Sequence, residues 1–244
     1  MRNLRLTIEY DGTAYAGWQL QKSDPTVQGT ISDVIEDITG ECVTLYGASR
    51  TDSGVHALGQ VANFYTNSPL SLSRFIMGLN HLLPTDIAVM DLTEVPESFD
   101  SRGDSLEKRY LYRIVNRPGG APLEVNRAWL VYQLLDAGLM KEAALLMVGE
   151  KDFSSFMASR SDATHGVREV RSIEVERTGD IVEITVTGTA FLRHMIRIIA
   201  GTLVTVGRGK LALSEIEGII EARDRRKAPE TAPACGLYLT RIKY

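Results

Sequence analysis

The hydrophobic positions of the first hundred residues follow two periods in turn. From Leu4 to Tyr10 apolar and polar residues alternate, and this period of two predicts a half-buried strand. A period of three to four then predicts a helix over 27–38, with Asp24 as its N-cap, Pro25 in its first turn and Gly40 at its end. The same two patterns predict strands over 43–46, 60–65 and 87–92 and a helix over 72–83. The resulting order β-α-β-β-α-β is that of a split βαβ, ferredoxin-like lobe.

The remaining residues predict a second lobe built from the same kinds of element. Its strands are expected over 108–115, 169–176, 181–187 and 237–241, and its helices over 136–148, 191–206 and 216–220. Ser214 and Glu217 have the spacing of a capping box for the last helix. We therefore predict an α+β fold with mainly antiparallel sheets and two lobes, 1–100 and 101–244.

Composition narrows the class of protein. The chain has 244 residues, of which 44% are hydrophobic and 24% are charged, as in an average globular protein. Its apolar runs are shorter than the ~18 residues of a membrane span, and the N-terminus has no signal-peptide pattern. Cys42 and Cys235 are the only cysteines and lie far apart in sequence. We therefore expect a cytoplasmic protein without disulfides and without membrane association.

The charge of the chain argues against a protein that coats a polyanion with its whole surface, because the net charge is −4. The basic residues are nevertheless unevenly distributed, which permits a basic cleft on one surface of an acidic protein. These residues are Arg102, Lys108, Arg109, Arg113, Arg117, Arg127, Arg160, Arg168, Arg171, Arg193, Arg197, Arg208, Lys210 and the run 223–227.

The segment Ser49–Ala57 is the strongest candidate for a functional site. It holds Arg50, Asp52 and His56 without apolar periodicity, just after a predicted strand. Functional side chains tend to lie on such loops, whereas Asp-Ser-Gly is also ordinary turn chemistry, and this segment alone does not decide between the two. The histidine spacing and the lack of a second close carboxylate do not fit a metal site or a hydrolase triad, so His56 is interpreted as structural.

Two further pairs of residues have both a structural and a functional interpretation. Tyr110 and Tyr112 share one face of a predicted strand, where tyrosines commonly pack, but Tyr110 beside arginines also suits stacking on a base. Arg193 and Arg197 lie four apart in the predicted helix 191–206 and should share one face. Because arginine is seldom buried without a partner, we expect a carboxylate from elsewhere beside at least one of them.

Taken in order, these segments resemble the tRNA pseudouridine synthases that modify the anticodon stem-loop. The motifs that carry the resemblance are Tyr10-Asp11-Gly12-Thr13, Gly17-Trp18-Gln19, Thr26-Val27-Gln28-Gly29, Arg50-Thr51-Asp52, Gly54-Val55-His56-Ala57, Gly59-Gln60-Val61, Phe64, Lys108-Arg109-Tyr110-Leu111-Tyr112, Asp152-Phe153-Ser154-Ser155-Phe156, Phe191 to Gly201, Ala232-Pro233 and Gly236-Leu237. Ser49 stands where glycine is usual and Ser53 where alanine is usual. The segment 159–170 is unfamiliar, so the resemblance assigns no RNA contacts to it.

The resemblance implies a role for each of five residues. Asp52 matches the catalytic aspartate, Tyr110 the tyrosine that stacks on the target uracil, and Arg50 the arginine that helps to extrude the nucleotide. Arg197 matches the arginine that pairs with the catalytic carboxylate, and Leu237 matches an apolar residue of the uracil pocket. The resemblance also implies a homodimer that needs no cofactor and no metal. It would act on positions 38–40 of tRNA in a central cleft, to which the first lobe brings the aspartate loop and which the second lobe completes.

The implied reaction breaks the N1–C1′ bond of uridine, turns the base and rejoins it through C5. Asp52 would attack C1′, attack C6 or take a proton from C2′, and the sequence leaves these three routes open. It also leaves two other classes of protein open. One is a non-catalytic RNA-binding protein, and the other is a glycosidase that uses Asp52 at C1′.

Overall fold

The structure is a computed structural model that describes residues 1–159 and 164–244. In chain order its strands and longer helices are β1 (Arg2–Tyr10), α1 (Val27–Thr39), β2 (Tyr46–Gly47), β3 (His56–Thr66), α2 (Leu72–Leu82), β4 (Ile87–Val95), β5 (Glu107–Asn116), β6 (Trp129–Val131), α3 (Ala137–Leu145), β7 (Gly149–Asp152), β8 (Val167–Thr178), β9 (Ile181–Gly188), α4 (Met195–Gly207), α5 (Glu215–Ala222) and β10 (Leu237–Lys243). None of the helices in the described ranges is long and apolar enough to cross a membrane.

Packing divides the chain into two compact units. Unit 1 comprises Met1–Leu106 together with Tyr238–Tyr244, and unit 2 comprises Glu107–Leu237. The sequence pattern placed the final strand in the second lobe, whereas all of β10 except Leu237 groups with unit 1. The assignment of 1–100 and 101–244 to separate functional lobes stays a prediction.

Unit 1 has the strand order of a split βαβ lobe. β1 lies antiparallel between β3 and β4, β2 pairs antiparallel with β3, and β10 pairs parallel with β3. The helices bury apolar faces, since Ile31 and Ile35 of α1 and Phe75 of α2 are inaccessible to solvent. The ring of Phe75 lies 5.8 Å from that of Phe64 on β3. Each such side chain contributes about 1.5–3 kcal/mol through burial.

The start of α1 differs from the expectation. Asp24 and Pro25 precede the helix, and Thr26 is its N-cap, because the Thr26 hydroxyl accepts a hydrogen bond from the Gly29 N–H at 3.2 Å. The predicted end is confirmed: Gly40 has φ +71° and donates its N–H to the Glu36 carbonyl.

The strands of unit 2 pair antiparallel in the order β5-β9-β8-β7, and β6 is parallel to β5. Its run β5-α3-β8-β9-α4 follows the order of a split βαβ lobe, and α3 packs against α4 and β8. The predicted α+β class with mainly antiparallel strands is confirmed. The sequence patterns missed β6 and β7, which have three and four residues and are too short to show a period of two.

Two predictions about helix starts in unit 2 are wrong. The helix expected from 191 begins at Met195, because His194 has φ +64° and breaks the helical path, so Arg193 lies outside the helix that holds Arg197. The capping box at Ser214 does not form. The Ser214 side chain makes no capping hydrogen bond, and Glu215 accepts from the Ala212 N–H instead.

Candidate active site

Near the start of the loop between β2 and β3, Ser49 is held at both its backbone N–H and its backbone carbonyl. Gln60 of β3 is fully buried, and its side-chain amide donates to the Ser49 carbonyl at 2.7 Å. The Gln60 side-chain oxygen also accepts from the Ser49 N–H at 3.3 Å. A buried amide is costly unless it is hydrogen-bonded, so Gln60 fixes the backbone just before Arg50.

Thr51 is anchored to the strand and loop that precede it in unit 1. Its hydroxyl forms a 2.7 Å hydrogen bond with the Tyr10 hydroxyl, and its carbonyl accepts from the Trp18 N–H at 3.1 Å. Gly17 approaches this carbonyl so closely that a Cβ would lie 2.4 Å from the Thr51 oxygen. Gly17 also has φ +98°, a conformation that side-chain-bearing residues rarely adopt.

Asp52 occupies a tight turn that is tied down on its far side. Its carbonyl accepts from the Val55 N–H at 3.1 Å, and Gly54 supplies the positive φ of +76°. The Ser53 hydroxyl donates to the Tyr15 carbonyl at 3.1 Å. The Asp52 residue itself is half-exposed. The loop therefore presents a carboxylate on a backbone that is fixed both before and after it, as a reacting group requires.

The end of the loop is packed between the start of the chain and β10. Val55 is buried, and a Cβ on Gly12 would lie 2.0 Å from its carbonyl oxygen. His56 is 2% exposed, accepts from the Gly12 N–H at Nδ1 and stacks on Tyr238 with ring centroids 4.7 Å apart. These contacts support the structural interpretation of His56.

In unit 2, Tyr110 lies on β5 and is only 6% exposed. Its ring meets Phe191 edge to face, with centroids 5.4 Å apart and planes at 90°. The nearby Gly188 of β9 leaves room for the Phe191 ring, because a Cβ there would come within 2.9 Å of it. Phe191 thus fixes the orientation of the Tyr110 ring through an aromatic contact that the sequence pattern did not predict.

The structural interpretation of Tyr112 is confirmed. Its side chain is fully buried, its ring meets Trp129 edge to face, and its hydroxyl donates to the Pro233 carbonyl at 2.7 Å. Burial raises the pKa of the Tyr112 hydroxyl well above its ordinary value. Tyr112 is therefore a neutral hydrogen-bond donor that holds the segment before β10.

That segment also binds Arg197, in the first turn of α4. The Arg197 Nε donates to the Ala232 carbonyl at 2.8 Å, and the Ala232 N–H donates to the Arg197 carbonyl at 3.1 Å. Gly236 then packs directly on β5, where a Cβ would lie 2.7 Å from the Arg113 carbonyl. The next residue, Leu237, is 6% exposed.

The structure thus groups the five predicted site residues by unit. Arg50 and Asp52 share one clamped loop of unit 1, and Tyr110, Arg197 and Leu237 lie on adjoining elements of unit 2. Their roles stay predictions. The supporting residues Tyr10, Gln60 and Phe191 were not predicted as such. A polar residue in a mostly buried strand indicates a hydrogen-bonding role, but Asn63 in the same strand gives the same signal as Gln60.

Two other points from the sequence, the metal site and the unfamiliar segment 159–170, can be compared with the described residues. They contain no group of three or more His, Cys, Asp or Glu side chains placed to hold a metal ion. Of the unfamiliar segment 159–170, Arg160 and residues 161–163 lie outside the described ranges. In the part of this segment that the structure describes, the Gly166 carbonyl accepts a hydrogen bond from the Phe153 N–H at 2.9 Å.

Comparison with known proteins assigns this chain to a family. The family model described as tRNA pseudouridine synthase matches residues 6–102 and 143–244. The tRNA pseudouridine synthase A of Acetivibrio thermocellus is 48% identical over 244 residues, covering 100% of both chains. That of Myxococcus xanthus is 46% identical over 245 residues, covering 100% of this chain and 92% of its own. A chain in the crystal structure of a Cbf5-Nop10-Gar1 complex aligns with a TM-score of 0.36 and 16% identity, over 97% of this chain and 48% of that one. The family model and the two sequence relatives, each matched over most or all of the chain, show that the chain belongs to the tRNA pseudouridine synthase family.

Proposed function

We propose that this protein isomerises uridine to pseudouridine at positions 38–40 in the anticodon stem-loop of tRNA, with Asp52 as the catalytic residue. Membership of the family makes the chain an enzyme, an isomerase that forms pseudouridine. The observation that carries the proposal for Asp52 is its place on the clamped loop, where Gln60, Tyr10 and Trp18 hold the backbone and the side chain is half-exposed.

The chemistry assigns a task to each of the other site residues. A base in a stem must be flipped out at a cost of a few kcal/mol before its glycosidic bond can be reached. Stacking on the Tyr110 ring contributes about 1–3 kcal/mol per base, and Arg50 fills the space that the nucleotide leaves. The family resemblance assigns Arg197 as the partner of the Asp52 carboxylate. Leu237 supplies an apolar wall for the uracil.

Release of the hydrogen at C5 tests the reaction itself. Isomerisation makes C5 the new glycosidic carbon, so its hydrogen must leave to solvent. We expect the protein to release tritium from tRNA labelled at uracil C5 and to leave pseudouridine in the RNA. A non-catalytic RNA-binding protein would release no tritium, and a glycosidase would liberate free uracil; either result would refute the proposal.

We propose that the Tyr110 hydroxyl takes the proton that leaves C5, directly or through water. Changing Tyr110 to Phe separates this proton removal from stacking. The phenyl ring keeps the stacking surface and the contact with Phe191, so we expect tRNA affinity to stay within about twofold. Loss of a general base typically costs ~10²–10⁴-fold in rate, so single-turnover pseudouridine formation should slow by at least ~10²-fold. Tyr132, which is 62% exposed in the same unit, provides the control variant Tyr132→Phe. An unchanged rate in Tyr110→Phe would remove the hydroxyl from the mechanism.

We also propose a homodimer that works in the cytoplasm. The dimer rests on the family resemblance, and sedimentation equilibrium at micromolar concentration would test it. The cytoplasm is supported by the thiols, because Cys42 is a free, exposed cysteine and such a thiol is maintained in a reducing compartment.

A further inference from the structure

An open cleft in unit 2 brings together basic side chains from two separate segments. Its volume is about 540 Å³, and three arginines line it together with His194, Ser159 and Thr231. The arginines are Arg193, Arg225 and Arg226. We call this the arginine cleft. None of its lining residues in the described part of the chain is acidic.

The backbone turns sharply next to both segments that supply these arginines. His194, before α4, has φ +64°, and Arg223, after α5, has φ +50°. Positive φ is uncommon for residues other than glycine and is enriched at functional sites. The turn at His194 places Arg193 outside α4, and the turn at Arg223 leads directly into the 225–227 turn.

Two of the guanidinium groups are held in place by the surrounding structure. Arg225 donates to the Ala228 carbonyl at 2.8 Å and to the Thr231 hydroxyl at 3.0 Å. Partial burial lowers the pKa of Arg225, yet a guanidinium stays charged at neutral pH. Arg226 is 89% exposed and is oriented by Asp224, which accepts from its Nε at 3.0 Å and from its Nη2 at 2.8 Å. Asp224 therefore offsets part of the positive charge of Arg226 and fixes the orientation of its guanidinium group.

The arginine cleft lies close to a residue of the proposed active site. Its wall residue Thr231 is followed by Ala232, which is hydrogen-bonded to Arg197 through both of its backbone groups. Arg193 lies four residues before Arg197 in sequence. The cleft is therefore close enough to Arg197 to contact the RNA backbone beside a uridine bound there.

We propose that the arginine cleft binds a phosphodiester of the substrate RNA next to the nucleotide that is isomerised. This inference rests on the proposed function. Pre-oriented arginine forks match the geometry of phosphate oxygens and bind them more specifically than lysine does. Because the whole chain carries a net charge of −4, attraction to RNA must come from such local clusters.

The double variant Arg193→Gln/Arg226→Gln tests the cleft. We expect the Kd for tRNA to rise by about tenfold or more, with the effect appearing in KM. The slope of log K against log salt concentration should shrink by about 0.7–0.9 for each phosphate that the variant no longer neutralises. Arg117→Gln is the matched control, since Arg117 is also paired with an aspartate, Asp180, in the same unit. It should keep the affinity and the slope.

Neutral methylphosphonate linkages show which phosphate is bound. The wild-type protein should lose affinity when one linkage beside the target uridine is neutral, and the double variant should be insensitive at that linkage. The single variant Arg226→Gln controls for misfolding of the double variant. Arg226 is almost fully exposed, so its replacement should leave the fold intact. An unchanged Kd and salt slope, or an equal loss of affinity in Arg117→Gln, would overturn the proposal.

The outcomes separate this inference from the proposed function. If the wild-type protein releases tritium normally and the double variant binds tRNA as the wild type does, phosphate binding by the arginine cleft is refuted and the proposed isomerase activity is supported. If tRNA binding depends on the arginine cleft but no tritium is released, the proposed isomerase activity is refuted and phosphate binding by the cleft is supported.

Discussion

Pseudouridine formation should fall by roughly 10⁴-fold or more in Asp52→Asn, which is the typical loss when a residue that carries the chemistry is removed. Asparagine has nearly the same shape as aspartate, so the turn at Asp52 should persist. We expect the tRNA affinity to be unchanged or slightly higher, because one negative charge is removed near a polyanion. Single-turnover formation of pseudouridine and a filter-binding Kd would measure the two effects.

Asp24→Asn provides the control for this prediction. Asp24 lies in an exposed segment of the same unit, where its carboxylate accepts from the hydroxyl of the neighbouring Ser23 at 3.1 Å. The control should keep full activity. Substantial turnover in Asp52→Asn would show that the carboxylate does not carry the reaction. Deuterium at C2′ of the target ribose distinguishes proton removal at C2′ from attack at C1′ or C6. Only proton removal at C2′ gives a primary isotope effect on the wild-type rate.

The second large effect is expected from Gly17→Ala, outside the reacting groups. The new Cβ would lie 2.4 Å from the Thr51 carbonyl oxygen, in a backbone conformation of φ +98°. The left-handed conformation costs about 1–2 kcal/mol and the forced repacking about 1–3 kcal/mol. We expect the free energy of unfolding to drop by about 2–5 kcal/mol in urea denaturation. The rate should fall by about 10²-fold, because displacing a proposed catalytic residue such as Asp52 by about 1 Å has that effect.

Gly40→Ala isolates the conformational part of this effect. Gly40 also has positive φ, +71°, but a Cβ there meets nothing within 4 Å. We expect it to lower stability by about 1 kcal/mol and to leave turnover intact. Equal losses of activity in the two variants would contradict the view that Gly17 positions the Asp52 loop.

The fold was largely predictable because most elements are long enough to show their period. β1, α1 and α2 were predicted within a few residues, and the order of elements in unit 1 followed from them. The start of α4 was not predictable, because Phe191 and Leu192 continue a helical apolar pattern while the break depends on the φ of His194. Periodicity reports which face is buried and carries no information on a single backbone angle.

The site was predictable only at the level of residue types. The Asp52 loop stands out in the sequence because it is polar and lacks periodicity. Its supports do not stand out, since the Tyr10–Thr51 bond joins residues 41 apart and neither residue's neighbours in sequence indicate the pairing. The contact between Tyr110 and Phe191 likewise joins a strand to a segment 81 residues later. Such pairings depend on tertiary packing, which a local pattern does not contain.

The discontinuity of unit 1 has a consequence for synthesis on the ribosome. Tyr238, which stacks on His56 at the end of the Asp52 loop, is translated only after the whole of Glu107–Leu237. At about 5–20 residues per second, this interval lasts roughly 7–26 s. During that time the edge of β3 that faces β10, at His56 and Ala57, is unpaired on that side, and unpaired strand edges are prone to association. A nascent chain therefore carries Asp52 long before it has the strand that braces the end of the Asp52 loop, so an unfinished polypeptide should be inactive.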